Sequence, residues 1–218
     1  MARRLALEDG RGESFPEQLL TRLLSGDRVS DPEFDRIFPP WERSLSRVHW
    51  TPLSTIRSIF ELLRPDQDTK ILDVGSGVGK FCILMSLLSD ASVTGVEQRP
   101  RLHFIAQKTA LRLGVHHVNF TFGNAFEFDW SKFNTFYFYN PFQEHLAYEY
   151  SSSIDSTIEL DRRFYDQYIT EVFQRLRDLN SGTKVVTYHG FGGEFPSAYR
   201  LIGSRGGKSG GVNLWEKQ

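Results

Sequence analysis

The feature that most constrains the fold is a glycine-rich turn between an apolar run and a helical pattern. The apolar run contains Asp73, and residues 75–79 have the sequence Gly-Ser-Gly-Val-Gly. Glycine reaches backbone conformations closed to other residues and lets a ligand approach the backbone closely. The following helix directs its free N–H groups and its positive dipole end towards the turn. The pattern predicts a nucleotide-type cofactor site in an α/β protein.

The spacing of the glycines separates this turn from two phosphate-binding motifs. Dinucleotide folds favour Gly-x-Gly-x-x-Gly, whereas here the third glycine, Gly79, comes one position early. A P-loop has Lys followed by Ser or Thr, but Lys80 is followed by Phe81. Glu97, at the end of the next apolar run, is able to accept hydrogen bonds from both hydroxyls of a ribose. Because that acid would equally suit NAD, it does not identify the cofactor by itself.

Strand and helix patterns alternate from residue 70 onwards, which is typical of a mainly parallel sheet. Strands are predicted at 70–74, 92–97, 118–122, 135–139 and 184–188. Helices are predicted at 79–88, 100–113 and about 158–179. The tail, at 199–203 and 212–215, has the pattern of an antiparallel hairpin around a glycine-rich loop that carries Arg205 and Lys208. The sequence therefore predicts an α/β fold with a seven-stranded, mainly parallel sheet, helices on both faces and a C-terminal antiparallel hairpin.

Three further helices are predicted ahead of this alternation. Apolar residues repeat at helical spacing over residues 16–24 and 52–63, and Asp31-Pro32-Glu33 is a good helix start. The pair Pro39-Pro40 is predicted to end the second of these helices. We therefore expect an N-terminal helical extension over residues 1–50 and a cofactor-binding domain over residues 51–218.

Composition limits the classes of function. The chain's 218 residues suffice for one domain with a substantial core. Its 26 basic and 27 acidic side chains give no global basic field of the kind that drives nucleic-acid binding. Cys82 is the single cysteine, which fits a reducing cytoplasm, and no apolar run suggests a signal peptide or a membrane span. We therefore expect a cytoplasmic protein. We also expect no bound metal, because His103, His116 and His117 have no other metal-ligating residues at suitable spacing in the sequence.

The segment from Asp73 to Gly79 resembles motif I of the class I S-adenosylmethionine-dependent methyltransferases, and the resemblance extends over roughly residues 51–218. It implies a Rossmann-like fold with S-adenosylmethionine as cofactor. Asp73 would help to hold the cofactor's amino group. The turn, with cofactor-binding residues Gly75, Ser76, Gly77 and Gly79, would contact its methionine portion. Glu97 would take the ribose hydroxyls, and the adjacent Gln98 is assigned with it.

Gly123-Asn124-Ala125 follows the third predicted strand, where that family commonly has Gly-Asp-Ala. The family's acid accepts a hydrogen bond from the adenine amine. The amide oxygen of Asn124 could accept the same bond without charge, and the N–H of Ala125 could reach a ring nitrogen. Gly-Asn is also simply a good turn, so a structural role for Asn124 stays open.

Tyr139-Asn140-Pro141-Phe142 follows the fourth predicted strand, at the edge where open α/β sheets bind ligands. It is similar to the Asn/Asp-Pro-Pro-Tyr/Phe motif of methyltransferases that modify planar amines, although it has one proline. The resemblance implies that Asn140, Pro141 and Phe142 are catalytic. The amide oxygen of Asn140 and a backbone carbonyl would accept hydrogen bonds from the N–H groups of the amine that receives the methyl group. The ring face of Phe142 would pack against that amine. Asn140 is also assigned to the cofactor site.

A second resemblance is to the disruptor-of-telomeric-silencing type of lysine methyltransferase, which shares Asp-x-Gly-Ser-Gly-x-Gly and Gly-Val-Glu with this chain. Pro141 departs from that family's strand-four motif. Transfer to lysine requires its neutral amine, which a dry aromatic channel favours. The phenylalanine-rich run over residues 120–142 could line such a channel, although its alternation is also typical of core strands.

The predicted function is methyl transfer from S-adenosylmethionine to the nitrogen of a protein side chain, lysine or amide, or of a small-molecule amine. Nucleic acid is a less expected acceptor, and no membrane partner is predicted. An NAD-dependent oxidoreductase and a non-catalytic cofactor-binding regulatory module stay open as alternatives. Residues 49–52 are interpreted as a lid over the cofactor or a plain helix cap. His145 is predicted to be a surface histidine, His189 is given little weight, and the oligomeric state is not predicted.

Overall fold

The computed structural model describes residues 14–146, 153–206 and 211–218. Its strands are β1 (Lys70–Val74), β2 (Ser92–Glu97), β3 (Val118–Phe122), β4 (Thr135–Tyr139), β5 (Lys184–Tyr188), β6 (Tyr199–Arg205) and β7 (Val212–Lys217). They form one seven-stranded sheet in the order β3-β2-β1-β4-β5-β7-β6. The first five strands run parallel, and β7 pairs antiparallel with both β5 and β6. The predicted sheet is confirmed; Lys208, in the predicted hairpin loop, lies outside the described residues.

Helices precede the sheet and connect its strands. They are α1 (Phe15–Leu24), α2 (Asp31–Phe34), α3 (Pro40–His49), α4 (Leu53–Leu63), α5 (Lys80–Leu88), α6 (Pro100–Arg112) and α7 (Arg162–Asp178). Short 3-10 turns occupy Asp35–Ile37, Ala125–Glu127, Trp130–Lys132 and Gln143–His145. Helix α7 begins later than predicted because the Asp161 side chain caps it, accepting a hydrogen bond from the N–H of Arg163 at 2.7 Å.

The helical segment predicted from Asp31 ends ahead of Pro39-Pro40, as expected, but a further helix that was not predicted, α3, has Pro40 as its first residue. A proline at the first helical position is tolerated, since the N–H it lacks has no partner there in any helix. The apolar pattern also missed α3 because its buried residue is Glu42 rather than a hydrocarbon side chain. The Glu42 carboxylate forms an ion pair with Arg101 of α6 at 2.5 Å.

The core lies in two layers, one on each face of the sheet. Successive strand residues alternate between them, so that Ile71 packs in the layer beneath α4 and α5, and Leu72 packs in the layer beneath α7. Phe136 and Phe138 of β4 are fully buried in the second layer. The alternating aromatic residues of β4 therefore pack in the core, which is the alternative to an aromatic channel that their alternation predicted.

The N-terminal helices share the first core layer with the sheet. Lys80, at the start of α5, is buried and forms ion pairs with Asp31 at 2.6 Å and with Asp35 at 2.7 Å. Asp31 also accepts a hydrogen bond from the N–H of Leu53 at 2.9 Å. The boundary near residue 50 stays a prediction, and buried contacts of α2 with α4 and α5 cross it. Within the described ranges, no helix combines the length and apolarity needed to cross a lipid bilayer.

Candidate functional site

A cleft opens at the carboxyl ends of the central strands, where the strand order reverses between β1 and β4. Such a reversal leaves a crevice between connections that depart to opposite faces of the sheet. Most of the predicted site residues line this cleft: Gly75, Gly77, Glu97, Gln98, Asn124, Ala125, Asn140, Pro141 and Phe142. The fold therefore brings together four segments that are far apart in the sequence.

The glycine turn forms the floor of the cleft in a conformation that other residues rarely adopt. Gly75 has a φ of 80° and Gly77 a φ of 56°. The N–H groups of Gly75 and Ser76 both donate to the carbonyl of Val96 at 3.0 Å, which ties the turn to β2. A Cβ at Gly77 would lie 2.6 Å from the Trp50 ring. Only glycine fits this position with Trp50 where it is.

Glu97 is the acid at the centre of the cleft, and its carboxylate is held by backbone groups. One oxygen accepts from the N–H of Gly77 at 2.9 Å, and the other accepts from the N–H of Arg99 at 2.8 Å. Burial raises the pKa of Glu97, while these two hydrogen bonds oppose the rise. Each carboxylate oxygen keeps further acceptor capacity. Glu97 is thus a fixed pair of acceptors beside the glycine turn.

Three predicted site residues do not line the cleft. Asp73 lies below the turn, where its carboxyl accepts a hydrogen bond from the Cys82 thiol at 3.1 Å and where burial raises its pKa to about 7. The Ser76 hydroxyl is buried with no hydrogen bond in the described structure. Gly79 allows close packing, since a Cβ there would meet the Phe120 ring at 2.5 Å. These three residues therefore take part in the packing of the turn and do not contact the open cleft.

Asn124 uses its amide oxygen locally. That oxygen accepts from the N–H of Phe126 at 3.0 Å and so caps the 3-10 turn that begins at Ala125. This is the turn role that the sequence left open. Because an amide oxygen has two lone pairs, a second hydrogen bond to a ligand in the cleft is compatible with the cap.

Asn140 lies directly after β4 with a φ of 41°, a left-handed conformation that is uncommon for a residue with a side chain. Its N–H donates to the carbonyl of Gly190 at 3.0 Å. Its side-chain N–H₂ donates to the Gln143 side chain at 3.3 Å. The side-chain oxygen has no hydrogen bond to any described residue, so it is an open acceptor in the lining of the cleft.

Aromatic rings form the wall beyond Asn140. The Phe142 ring lies 5.2 Å from the Tyr168 ring and 6.0 Å from the Phe126 ring, measured between centroids, and all three line the cleft. His145 supports this wall from behind, with its ring 5.3 Å from that of Tyr168. The prediction of a surface histidine was wrong. His145 is buried because its ring packs on α7 and its Nδ1 accepts from the N–H of Asp161 at 3.3 Å, and burial lowers its pKa.

The residues that join α3 to α4 also border the cleft. His49 and Trp50 line it, and the indole N–H of Trp50 donates to the Glu42 carbonyl at 2.7 Å. Thr51 does not cap α4, because its hydroxyl bonds to that of Tyr137 at 2.8 Å. Of the two interpretations of this segment, the structure supports a cover over the glycine turn rather than a plain cap.

A partly buried cluster of charged side chains at the rim of the cleft was not expected from the sequence. The Arg99 guanidinium forms ion pairs with Glu144 at 2.9 Å and with Asp155 at 3.1 Å. Glu144 also accepts from the N–H of Ile154 at 3.1 Å, and the Ile154 side chain lines the cleft. The two acids lie 45 and 56 residues after Arg99, so no local spacing marks the cluster. We refer to Arg99, Glu144 and Asp155 as the rim cluster.

The part of the chain that the structure describes contains no group of three or more His, Cys, Asp or Glu side chains suited to a metal ion.

Comparisons with known proteins agree with this geometry. Residues 65–172, from just before β1 into α7, match a family model described as a methyltransferase domain. An RNA methyltransferase from Salinibacter ruber, crystallised with S-adenosylhomocysteine, is 23% identical with a TM-score of 0.55, over 77% of this chain and 92% of that one. A putative O-methyltransferase from Klebsiella pneumoniae is 15% identical with a TM-score of 0.57, over 92% and 96% of the two chains.

A putative methyltransferase from Escherichia coli is 16% identical with a TM-score of 0.55, over 76% of this chain and 86% of that one. At such identities the solved structures establish a shared fold. No curated protein matches the sequence significantly. Residues 65–172 thus match a methyltransferase domain model, and the chain shares a Rossmann-like fold with these solved methyltransferases.

Proposed function

We propose that the protein uses S-adenosylmethionine to methylate a nitrogen atom, in a protein side chain or in a small-molecule amine. The observation that carries this proposal is the cleft itself. It places the fixed carboxylate of Glu97 on the glycine turn and the open side-chain oxygen of Asn140 at the next strand end. The first feature suits the ribose of a cofactor, and the second suits the N–H of an acceptor.

The residues of the cleft fit this cofactor. Gly75 and Gly77 present backbone without side chains, and Glu97 presents two fixed acceptors to a ribose. When bound, the cofactor supplies an electrophilic methyl group on a sulfonium ion. It carries no phosphate, and Lys80, the cation nearest the turn in sequence, is occupied by Asp31 and Asp35 in the N-terminal core. The engaged lysine argues against a P-loop phosphate, and the early third glycine, Gly79, departs from dinucleotide spacing, so both features support a sulfonium cofactor.

The chain's own residues would contribute chiefly position and exclusion of water. Trp50 covers the turn, and Ile154 borders the cleft where the rim cluster holds it. Asn140 would orient the substrate amine by accepting a hydrogen bond from one of its N–H groups. The nitrogen lone pair would then be directed away from the Asn140 side chain. Phe142 and its aromatic neighbours would provide the water-poor wall that favours a neutral amine.

The identity of the acceptor is the finer part of this proposal. The motif similarity to lysine methyltransferases and the aromatic wall support a protein side chain. The open amide acceptor at Asn140 supports any amine with an N–H to donate. The structurally similar protein from Salinibacter ruber is an RNA methyltransferase, so nucleic acid is the third acceptor class to test. A cytoplasmic location stays a prediction from composition.

One observation favours a second candidate function. The side-chain oxygen of Asn124 caps the turn at Phe126 and carries no charge, so its hydrogen bond to an adenine amine would be weaker than that of the acid common in the family. A non-catalytic module that binds the cofactor and regulates a partner would tolerate this loss. Turnover separates the two candidates, because both bind cofactor and only the enzyme transfers its methyl group.

The test is transfer of a labelled methyl group from S-adenosylmethionine into a cell lysate that is separated afterwards into protein, nucleic acid and small molecules. We expect label in protein or small molecules, and at least a tenfold lower rate with Asn140→Ala. Asn119→Ala, an exposed asparagine on β3, serves as the matched control and should match wild type. Cofactor binding with no label in any fraction would favour the regulatory module, and an unchanged rate with Asn140→Ala would contradict the role of that side chain.

A further inference from the structure

Two residues with left-handed backbones end neighbouring strands beside the cleft. Tyr139 and Tyr188 are paired in the register of β4 and β5, and the residues that follow them are Asn140, with a φ of 41°, and His189, with a φ of 61°. The N–H of Asn140 donates to the carbonyl of Gly190 at 3.0 Å, so the two turns are fixed to each other. Side chains held in such sparsely populated conformations cluster at functional sites.

The His189 ring is held in place by its neighbours. Its centroid lies 4.2 Å from that of Tyr188 and 5.8 Å from that of Tyr139. Tyr139 is itself anchored, because its hydroxyl donates to the carbonyl of Val48 at 2.8 Å. Both His189 and Asn140 line the cleft, and within the described residues neither imidazole nitrogen of His189 has a hydrogen bond or an ion pair. The imidazole is thus oriented by stacking and open to a ligand.

We propose that His189 is a catalytic residue that accepts the proton released by an acceptor nitrogen bound at the side-chain oxygen of Asn140. This inference rests on the proposed function and deepens it. In a transfer to nitrogen, the lone pair of the acceptor forms the new N–C bond while the methyl C–S bond breaks and leaves its electron pair on sulfur. The nitrogen then carries a positive charge and loses one proton, which an imidazole nitrogen of His189 takes up.

The chemistry of imidazole narrows the class of acceptor. Imidazole is a much weaker base than an aliphatic amine, so it does not draw a proton from a methylated lysine. A nitrogen conjugated with an aromatic ring or a carbonyl group forms a far more acidic cation, which imidazole deprotonates readily. His189 therefore assigns this site to a conjugated nitrogen, such as an aryl amine or a carboxamide, in preference to the lysine that the proposed function also admits.

Other titratable groups lie near His189. Tyr139 contacts the ring, and burial raises its pKa to about 12, so it stays protonated near neutral pH. Tyr188 stacks against the same ring at the end of β5. Tyr165 of α7 reaches this loop through its hydroxyl, which donates to the carbonyl of Gly192 at 3.3 Å. His49, at the end of α3, also lines the cleft, next to Val48, whose carbonyl accepts from the Tyr139 hydroxyl.

The first test removes the imidazole without straining the backbone. His189→Gly suits the left-handed conformation, and added imidazole can diffuse into the space it leaves. With the lysate fraction that wild type labels as acceptor, we expect the rate to fall about 100-fold and imidazole to restore at least a tenth of it. His116→Gly, an exposed histidine after α6, is the matched control and should match wild type with or without imidazole. A His189→Gly rate within twofold of wild type would overturn the inference.

The second test does not depend on turnover. The ring signals of His189 are assigned in NMR spectra by their loss in His189→Asn, and the full chain is saturated with S-adenosylhomocysteine. We expect aniline to shift these signals, and to do so more than the same concentration of n-butylamine. The shift should be at least tenfold weaker in Asn140→Ala. Unmoved His189 signals, or equal shifts with both amines, would contradict the inference, whereas failure to bind S-adenosylhomocysteine would contradict the proposed function instead.

Discussion

At the residue scale, the glycine turn and Glu97 form one hydrogen-bonded unit. The N–H of Gly77 donates to the Glu97 carboxylate, and the Trp50 ring occupies the space above Gly77. A substitution at Gly77 is therefore expected to shift both Glu97, the acid that would bind the ribose, and Trp50, in the segment that covers the turn. Glycine at this position serves the protein's own packing as much as the approach of a ligand.

Gly77→Ala tests this packing. The new Cβ would lie 2.6 Å from the Trp50 ring in a backbone with positive φ, and we expect a loss of about 3 kcal/mol of unfolding free energy in denaturant titrations. Gly182→Ala is the matched control, because Gly182 has a φ of 83° with open space where a Cβ would be. Its expected loss is about 1 kcal/mol, from the backbone alone. Equal losses in the two variants would show that Trp50 does not close over the turn.

Asp73 predicts a dependence of stability on pH. Burial raises its folded-state pKa to about 7 from the ordinary value of 3.8, so the folded state favours the protonated acid. Its contribution is complete below pH 4 and is lost as pH rises through 7. Asp73→Asn cannot ionise, so its unfolding free energy relative to wild type should rise across this window by up to roughly 4 kcal/mol. A difference between the two proteins that is constant from pH 4 to 7.5 would contradict the assignment.

Four lining residues were recognisable from the sequence because each belongs to a local pattern, which is a turn, a strand end or a short motif: Gly75, Gly77, Glu97 and Asn140. It placed His145 on the surface because nothing adjacent in the sequence reveals the ring of Tyr168 that buries it. The resemblance placed Asp73 at the cofactor's amino group. In the structure Asp73 lies beneath the glycine turn, outside the lining of the cleft, and its carboxyl accepts a hydrogen bond from the Cys82 thiol.

At the element scale, the rim cluster fastens the chain after residue 152 to the end of β2. Arg99 reaches Glu144 and Asp155, while its own N–H donates to Glu97. The same residue thus holds both the acid at the centre of the cleft and the segment that carries Ile154. We expect the binding of a cofactor at Glu97 and the order of this segment to depend on each other.

Arg99→Gln tests this link. It leaves two partly buried carboxylates without their cation, for which we expect a loss of about 2 kcal/mol of stability and faster amide exchange in residues 153–157. Cofactor affinity should fall with it. Arg177→Gln is the matched control, since Arg177 pairs with Asp178 on the exposed face of α7 and should change none of these quantities. Unchanged exchange in Arg99→Gln would show that the rim cluster does not order the segment.

Elements were predictable to the extent that apolar periodicity governs them. The predicted bounds of β1 to β5 are those observed, because these strands alternate or run apolar between clear turn signals. Helix α3 was missed because its one buried side chain is a glutamate paired with Arg101. The burial of a charge depends on a partner 59 residues away, which periodicity does not reveal.

At the scale of the whole molecule, the N-terminal helices and the sheet form one core around a buried ion pair. Lys80 is the first residue of the helix after the glycine turn, and its ammonium group forms ion pairs with Asp31 and Asp35. Its position after the turn resembles that of a phosphate-binding lysine, and its partners show that it serves the packing of α2 instead. The architecture followed from the sequence because alternating strands and helices have few arrangements. The rim cluster and the burial of His145 did not, because they depend on contacts between distant segments.

Isothermal titration calorimetry tests the central claim, that the cleft binds S-adenosylmethionine through Glu97. The account predicts saturable binding of S-adenosylmethionine and S-adenosylhomocysteine to the wild-type protein and weak or no binding of NAD. Glu97→Ala should weaken the binding of both sulfur compounds at least tenfold, because two fixed acceptors are lost. Binding of NAD in preference to either sulfur compound, or no binding of S-adenosylmethionine at all, would contradict the account.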